Sequence, residues 1–411
     1  MGRPAVIAGI GMTCFGKFMD RNIKQLAGEA INDALKDAAI EGSDLQAAYM
    51  GNAAASVIAG QVCVPGQIIL RDLGIGKIPV LNLENACASA ATAFNQAVKM
   101  IELGAYDIVL ACGYEKLYSE DKAKTFSVFT GAVDVTNMEG LMSTLGERMA
   151  ALGVSMDSQG AGSKRSLFMD IYAAWSLEHM QKYGTTQEQF AAVAAKNSFH
   201  GSLNPRAQYR EPLTVSDVLA APEICYPLTL PMCSPIGDGA AAVVLMSEAK
   251  ARELGVSQPV KVESTVLMSG FDYDDSTAET VTEVAAIAAY EAAGIGPEDV
   301  DVVELHDASA PSEIFCYEYL GLCPQGEGGA FVEAGHSRLG GKLPVNTSGG
   351  LLRKGHPIGA TGIGQIFELT EQLRGRCGER QVEGARVALA ENGGGFVQAD
   401  AAAMVVSVLS I

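Results

Sequence analysis

The two ends of this chain repeat each other, and that repetition constrains the fold more than any other feature. "AAIEGSDLQAAYMGNAAAS" (38–56) parallels "AGIGPEDVDVVELHDASAP" (293–311). In both, a helical pattern ends near a glycine, an acidic turn follows, and a strand begins. Farther along, "CASAATAFNQA" from Cys87 parallels "HPIGATGIGQI" from His356, a register that sets Ala91-Thr92 against Ala360-Thr361 and Gln96 against Gln365. "VLACG" (109–113) then parallels "ALAENG" (388–393). Helical and strand patterns alternate through both ends, which argues for an α/β architecture. Each likeness is short, but all keep their order. They predict two related α/β halves, each with a strand-to-helix junction at the same point of its fold. Cys87 and His356 are then pseudo-symmetric mates. Ligands of α/β sheets bind where strands end and helices begin.

The middle of the chain, about 115–230, has no counterpart in the second half. "SMDSQGAGSKRS" and "HGSLNPRAQYREPLT" read as loops there, and "SLFMDIYAAWSLEHMQKYG" and "TQEQFAAVAAKNSFH" as helices. The expected division is 1–114 with 231–255 as the first half, 115–230 as an inserted loop domain over it, and 256–411 as the second half. The first half resumes where Asp238-Gly239 turns into the strand "AAAVVLM".

With 48% hydrophobic and 19% charged residues, the composition is that of a soluble globular chain. No apolar run is long enough to cross a bilayer, and "MGRPAVIAGIGMTCFG" lacks the zones of a signal peptide, so a cytoplasmic protein with no membrane partner is expected. Gly9 and Gly11 do not complete GxGxxG, because Cys14 stands at the last glycine position. The nine cysteines form no CxxC pair, which argues for reduced thiols and against a structural metal. A net charge of −19 excludes nucleic acid as a natural partner and demands a local basic patch, or a partner that supplies one, for any phosphate-bearing ligand.

Four places could carry chemistry. In "NACASAATAFNQAVKMI", Ala90, Phe94, Ala97, Val98 and Ile101 follow a helical period, which puts Cys87 in the first turn. Unpaired N–H groups and the helix dipole there would lower a thiol pKa, although a packed small thiol is the ordinary fate of free cysteine. His356 stands among glycines that let backbone approach a ligand, and a base is what a cysteine nucleophile needs. A capping or surface histidine is the plainer alternative. His306 and Asp307 follow a hydrophobic strand, where they are either an oxyanion donor or a solvated polar pair. "ENGGGF" (391–396) exposes backbone N–H groups beside Glu391, either as an oxyanion hole or as a tight connector. His179, His200 and His336 have no such setting and read as structural.

Together these stretches resemble the thiolase superfamily, in its sterol-carrier-protein-2-like branch. "NACASAA" looks like the nucleophile motif, "GHPIGATG" like the base motif, and "HDASA" like the HDCF-type motif. "CSPIGDGAAAVVL" (233–245) is similar to the segment that closes the first half. The resemblance runs from Gly9 to the C-terminus. It implies two duplicated βαβαβαββ halves in five αβαβα layers with an inserted loop domain. It implies that Cys87 is the acyl-accepting nucleophile, that His356 takes its proton, and that His306 polarises the thioester oxygen. The N–H groups of Cys87 and Gly393 would form the second oxyanion hole. Asn392, Gly394, Ser348 and Gly349 would line the substrate. Coenzyme A would be a substrate, with no bound cofactor and no metal. The reaction would be cleavage of a β-ketoacyl-CoA by CoA.

One family part is absent. The second cysteine, which protonates the enolate, is replaced by Glu391 at one of its two positions and by Ala308 at the other. Glu391 is the expected substitute, with His306, water or Cys316 as alternatives, and the departure suggests an unusual substrate. Within the branch the chain looks most like large subunits of benzoylsuccinyl-CoA thiolases, in which Cys87 would carry benzoyl and succinyl-CoA would leave. Relatives of this kind imply a small zinc-ribbon/OB-fold partner subunit and a homodimer core, with "VLNLENACASA" near the dimer seam. The competing readings are an acetoacetyl-CoA-type thiolase, a ketosynthase, a retro-aldolase and a non-catalytic carrier. Acylation of Cys87 separates the thiolase from the last two.

Overall fold

The computed structural model describes residues 2–155, 165–272 and 279–411. Most of the loop expected at 155–166 lies outside them. A nine-stranded sheet is built from β1 (Ala5–Met12), β2 (Ala47–Gly51), β3 (Val80–Leu83), β4 (Ile108–Glu115), β5 (Gly239–Ser247), β6 (Val260–Met268), β7 (Val302–Glu304), β8 (Val387–Val397) and β9 (Asp400–Ser410). Their order across the sheet is β3-β2-β4-β5-β1-β6-β9-β8-β7. The duplication appears in this order. Beyond β7, Val303 makes a parallel bridge to Val345. Counting that bridge as the third strand of the second half, each half reads 3-2-4-5-1 from its outer edge. The halves are joined by a short antiparallel contact, Ala5–Ile7 of β1 against Val260–Val262 of β6.

The helices that matter here are α1 (Ile23–Asp37), α2 (Ser89–Glu102), α3 (Leu167–Tyr183), α4 (Gln187–Ser202), α5 (Val281–Ala293), α6 (Ala310–Tyr319), α7 (Gly350–Lys354) and α8 (Thr361–Leu373). Strand alternation sorts the core into layers. Ala5 and Ile7 of β1 face a central core with Ala90, Phe94, Ala97, Val98 and Ile101 of α2 and Ile363, Ile366 and Leu369 of α8. Val6 and Ala8 face the other way, onto Leu26, Ala30 and Ala34 of α1. In the second half Ala388 of β8 faces the central core, whereas Leu389 packs outward with Ala285 and Ala289 of α5. The result is α1, half-sheet, α2 with α8, half-sheet, then α5 with α6: five layers, buried on both sheet faces, as the run of apolar residues in β1 requires. Gly9 and Gly11 serve packing. A Cβ at Gly11 would stand 2.1 Å from the Ala30 carbonyl oxygen, so glycine alone lets α1 lie this close.

Candidate active site

The two junctions that the repeat aligns meet. Cys87 sits in a 3-10 turn, Ala86–Ala88, that feeds α2. His356 lies in the loop between α7 and α8, and His306 just beyond β7. The Cys87 Sγ and one ring nitrogen from each histidine lie within 4.8 Å of one another. The two imidazole rings are 5.1 Å apart and inclined by 63°. The Cys87 turn is pinned on both sides: Asn85 N–H donates to Ser89 Oγ (2.9 Å) and Ser89 Oγ donates to the Ala86 carbonyl (2.7 Å). Strand β8 passes directly beneath, because a Cβ at Gly394 would be 2.2 Å from the Asn85 carbonyl oxygen. Gly394 is thus needed for close approach of the turn.

His356 is set up as a base. Thr361 Oγ1 donates to the Pro357 carbonyl (3.2 Å) and therefore accepts from His356 Nδ1–H (2.7 Å). That fixes the tautomer, with Nε2 free of its proton. Burial, helped by His306 and Lys354, holds the imidazole well below its ordinary pKa, so it is neutral and able to accept.

Cys87 departs from expectation in one respect. The helix terminus was expected to favour thiolate; instead the thiol is pushed up to about 12. The main cause is burial, with the Glu115 carboxylate adding to it. Cys87 packs against Ala54, Leu117, Val128 and Ile358, an apolar wall that outweighs the turn's N–H groups. The resting nucleophile is a thiol, so a base is required. Two N–H groups do reach the sulfur, those of Cys87 itself and of Gly395. The glycine is two residues beyond the expected Gly393. Gly395 has φ +66°, which only glycine adopts freely. Gly393 instead faces His306: a Cβ there would be 3.6 Å from its Nδ1.

His306 and Asp307 are not a solvated pair; both are buried. Asn392 Nδ2 lies 3.3 Å from His306 Nδ1, and the Gly393 backbone also bonds the ring. Nε2 is buried and has no partner among the described residues, which leaves it for a ligand. Burial lowers the His306 pKa to about 4, which keeps the ring neutral. Asp307 accepts from Leu351 N–H (2.7 Å), tying this loop to α7 just ahead of His356. Ser348 and Gly349 are committed elsewhere. The Ser348 hydroxyl and N–H both donate to buried Glu304 (2.5 and 2.9 Å), and a Cβ at Gly349 would be 2.7 Å from Gly201 Cα on α4. They brace the loop that carries His356.

Glu391 is 1% exposed. Its Oε2 accepts from His306 N–H (2.8 Å) and from the Cys316 thiol (3.6 Å). Burial raises its carboxyl to about 7. The carboxylate is not part of the compact sulfur–nitrogen group; it stands behind His306. Two residues escaped the sequence reading. Tyr172 on α3 is within electrostatic reach of Cys87, Cys316 and Glu391, and its ring stands edge-on to Trp175, 5.6 Å away. The only signal was helical spacing to the chain's single tryptophan. Glu115, raised to about 7 by burial, accepts from the N–H groups of Ala53, Ala54 and Gly359 and so ties β4 to the His356 loop. Nothing local marked it. His179 and His200 are buried and hydrogen-bonded to Thr185 and to the Asn346 carbonyl, outside the site.

A thiol, a neutral base in the right tautomer and an unpaired buried imidazole nitrogen make a site for acyl transfer through sulfur. The sequence matches the thiolase N-terminal domain over residues 5–218 and the thiolase C-terminal domain-like family over 265–407. The chain belongs to the thiolase family. This thiolase is 37% identical to an acetyl-CoA acetyltransferase of Methanothermobacter thermautotrophicus, over 96% of this chain and 97% of that one. It is 37% identical to sterol carrier protein 2 of Homo sapiens, over 95% and 70%. It is 35% identical to the benzoylsuccinyl-CoA thiolase subunit BbsB of Thauera aromatica, over 97% and 96%. Among solved structures, an Ltp2-ChsH2(DUF35) aldolase superposes on this thiolase with a TM-score of 0.75 at 25% identity, covering 98% of this chain and 97% of that one. Among the described residues no helix of this thiolase is long and apolar enough to cross a membrane.

Proposed function

We propose that this thiolase cleaves an α-substituted β-ketoacyl-CoA, with Cys87 carrying the acyl group. The observation that carries the reading is the convergence of Cys87 Sγ with His306 and His356 within 4.8 Å. Cys87 gives its proton to His356 Nε2 and its sulfur bonds the keto carbon. The N–H groups of Cys87 and Gly395 lie at the sulfur, and the oxygen of the attacked carbonyl develops its charge toward them. The bond between keto carbon and α-carbon breaks. His306 Nε2–H meets the thioester enolate oxygen, and Glu391, as the neutral acid, protonates the α-carbon. CoA then takes the acyl group; its thiol proton restores Glu391, and the imidazolium returns its proton to Cys87.

Benzoylsuccinyl-CoA, giving benzoyl-CoA and succinyl-CoA, is the first substrate to try. The likeness to BbsB supports it, as does an aromatic wall: Tyr172, Trp175 and Phe396 stack edge-on at 5.6 and 5.4 Å next to the site. Acetoacetyl-CoA is the second, on the 37% identity to an acetyl-CoA acetyltransferase. The division into halves 1–114 with 231–255 and 256–411, under a loop domain 115–230, belongs to the same reading, because Leu117 and Val128 of that stretch wall in Cys87. So does a small zinc-ribbon/OB-fold (DUF35-type) subunit. The aldolase neighbour is named with a DUF35 partner, and a chain of net charge −19 gains most from borrowed basic groups when its ligand carries phosphates. A homodimer would cover β3, an edge strand with exposed Leu81, and the exposed Val62 and Val64 near it. A cytoplasmic location completes the reading.

The test is intact-protein mass after mixing with benzoylsuccinyl-CoA or acetoacetyl-CoA without free CoA. A mass gain in wild type that Cys87→Ser abolishes is expected, and the added mass names the acyl group. Absence of any adduct, with and without a zinc-ribbon/OB-fold subunit, would refute the acyl-cysteine.

A further inference from the structure

Glu391 is held asymmetrically. Both of its donors among the described residues, the His306 N–H and the Cys316 thiol, are on Oε2. No hydrogen bond reaches Oε1 among the described residues. Oε1 lies toward the glycine gap of β8: a Cβ built on Gly393 would be 3.8 Å from it and 3.6 Å from His306 Nδ1. A carboxyl bonded this way keeps its proton on Oε1, the oxygen on the side of Gly393 and the His306 ring. The charge left after proton donation falls where two donors meet Oε2.

We propose that Cys316 is a positioning residue for the enolate step: its S–H, paired with Glu391 Oε2, stabilises the carboxylate that forms when Oε1 hands its proton to the α-carbon. This rests on the reading of Glu391 as the acid. Cys316 is 8% exposed on α6, packed among apolar neighbours of the outer core. It keeps its proton throughout, because burial and the adjoining carboxylate raise its pKa well above the ordinary thiol value. It is therefore a fixed donor and does not relay. In the forward step the O–H bond of Glu391 breaks, a C–H bond forms at the α-carbon, and the S–H to Oε2 contact shortens. In the reverse step the carboxylate takes an α-proton from an acyl-CoA, again with Cys316 unchanged. The titratable side chains facing this carboxyl are Cys316 from α6, His306 from the loop after β7 and Tyr172 from α3. Gln365 of α8 reaches only the Glu391 carbonyl, at 2.9 Å.

The reverse step can be read without carbon–carbon bond chemistry. The full chain is incubated with acetyl-CoA or succinyl-CoA in D2O, and deuterium entry at the α-carbon is followed against pD. Wild type, Cys316→Ala, Cys316→Ser and Glu391→Gln are compared. Glu391→Gln should abolish exchange. Cys316→Ala removes one donor to a charged group, so the limb on which Glu391 ionises should move to higher pD by about half a unit to one unit, with a roughly 3- to 10-fold lower rate below it. Cys316→Ser keeps a donor and should stay within about threefold of wild type, which separates the role from mere packing. An unchanged profile in Cys316→Ala, with Glu391→Gln dead, would overturn the role of Cys316 and leave Glu391 in place. Wild-type exchange in Glu391→Gln, or no exchange by wild type with either thioester, would overturn both.

Discussion

Thr361→Val tests the base most directly. The change is nearly isosteric, and Thr361 acts on the reaction through His356 alone. It deletes the oxygen that accepts from His356 Nδ1–H at 2.7 Å. The ring then has two choices. It keeps its tautomer and leaves a buried N–H against a methyl group, which costs about 1–3 kcal/mol. Alternatively, it moves the proton to Nε2 and has no lone pair for Cys87. Either way the reactive arrangement becomes a minor state by that amount. At about 1.4 kcal/mol per tenfold, acylation of Cys87 should slow by roughly 10- to 100-fold. The assay is single-turnover acylation followed by quenched mass measurement, which isolates the step from CoA binding and product release. Thr361→Ser should recover most of the rate, because it restores the acceptor. Folding is only modestly affected, since the Pro357 carbonyl loses a single 3.2 Å bond. Acylation by Thr361→Val within about twofold of wild type would show that the tautomer is set in some other way, and the base assignment would lose its structural support.

The remaining expectations are briefer. Because the Cys87 thiol is pushed up to about 12, alkylation of the ligand-free enzyme by iodoacetamide should keep rising with pH and show no plateau near neutrality; a plateau there would mean a resting thiolate. Burial raises the Glu391 carboxyl to about 7, so the folded chain retains a proton that the unfolded chain releases near 4.5. Its stabilising contribution is full below about 4.5 and is lost as pH rises through about 7, and urea midpoints of Glu391→Gln against wild type should show that fall disappear. His200 runs the opposite way: burial, then Lys196, lower it to about 3 from 6.5, so its contribution is lost as pH falls below 6.5 toward 3, and His200→Gln should flatten the acid side of the stability profile. Gly362→Ala should destabilise by about 1–3 kcal/mol, because the new Cβ would stand 2.6 Å from Ala91 Cβ and 2.7 Å from Ala91 N on α2; a thermal midpoint equal to wild type would mean that α2 and α8 are free to separate.

That contact between α2 and α8 explains what the sequence could reveal. The repeat set Ala91-Thr92 against Ala360-Thr361, and the structure puts these two helix starts face to face, so a likeness between distant segments became a spatial meeting of Cys87 and His356. Local periodicity was equally readable: every apolar position marked on α2 is buried. The unreadable parts all depend on what arrives from elsewhere. The thiol pKa turned on Leu117, Val128 and Ile358, whose burial of Cys87 outweighs the helix start. Which backbone N–H reaches the sulfur turned on the φ of Gly395 within a run of three glycines. Cys316 met Glu391 across 75 residues of chain. These surprises share one consequence. Burial raises the Cys87 thiol and lowers both imidazoles, so the resting site holds no separated charge. A thiolate–imidazolium pair would pay desolvation on both partners. A carbonyl carbon within reach changes that balance, because the sulfur's charge passes to an oxygen met by N–H donors as the new bond forms. Proton transfer to His356 is then coupled to attack, and the nucleophile becomes reactive only when its substrate is present.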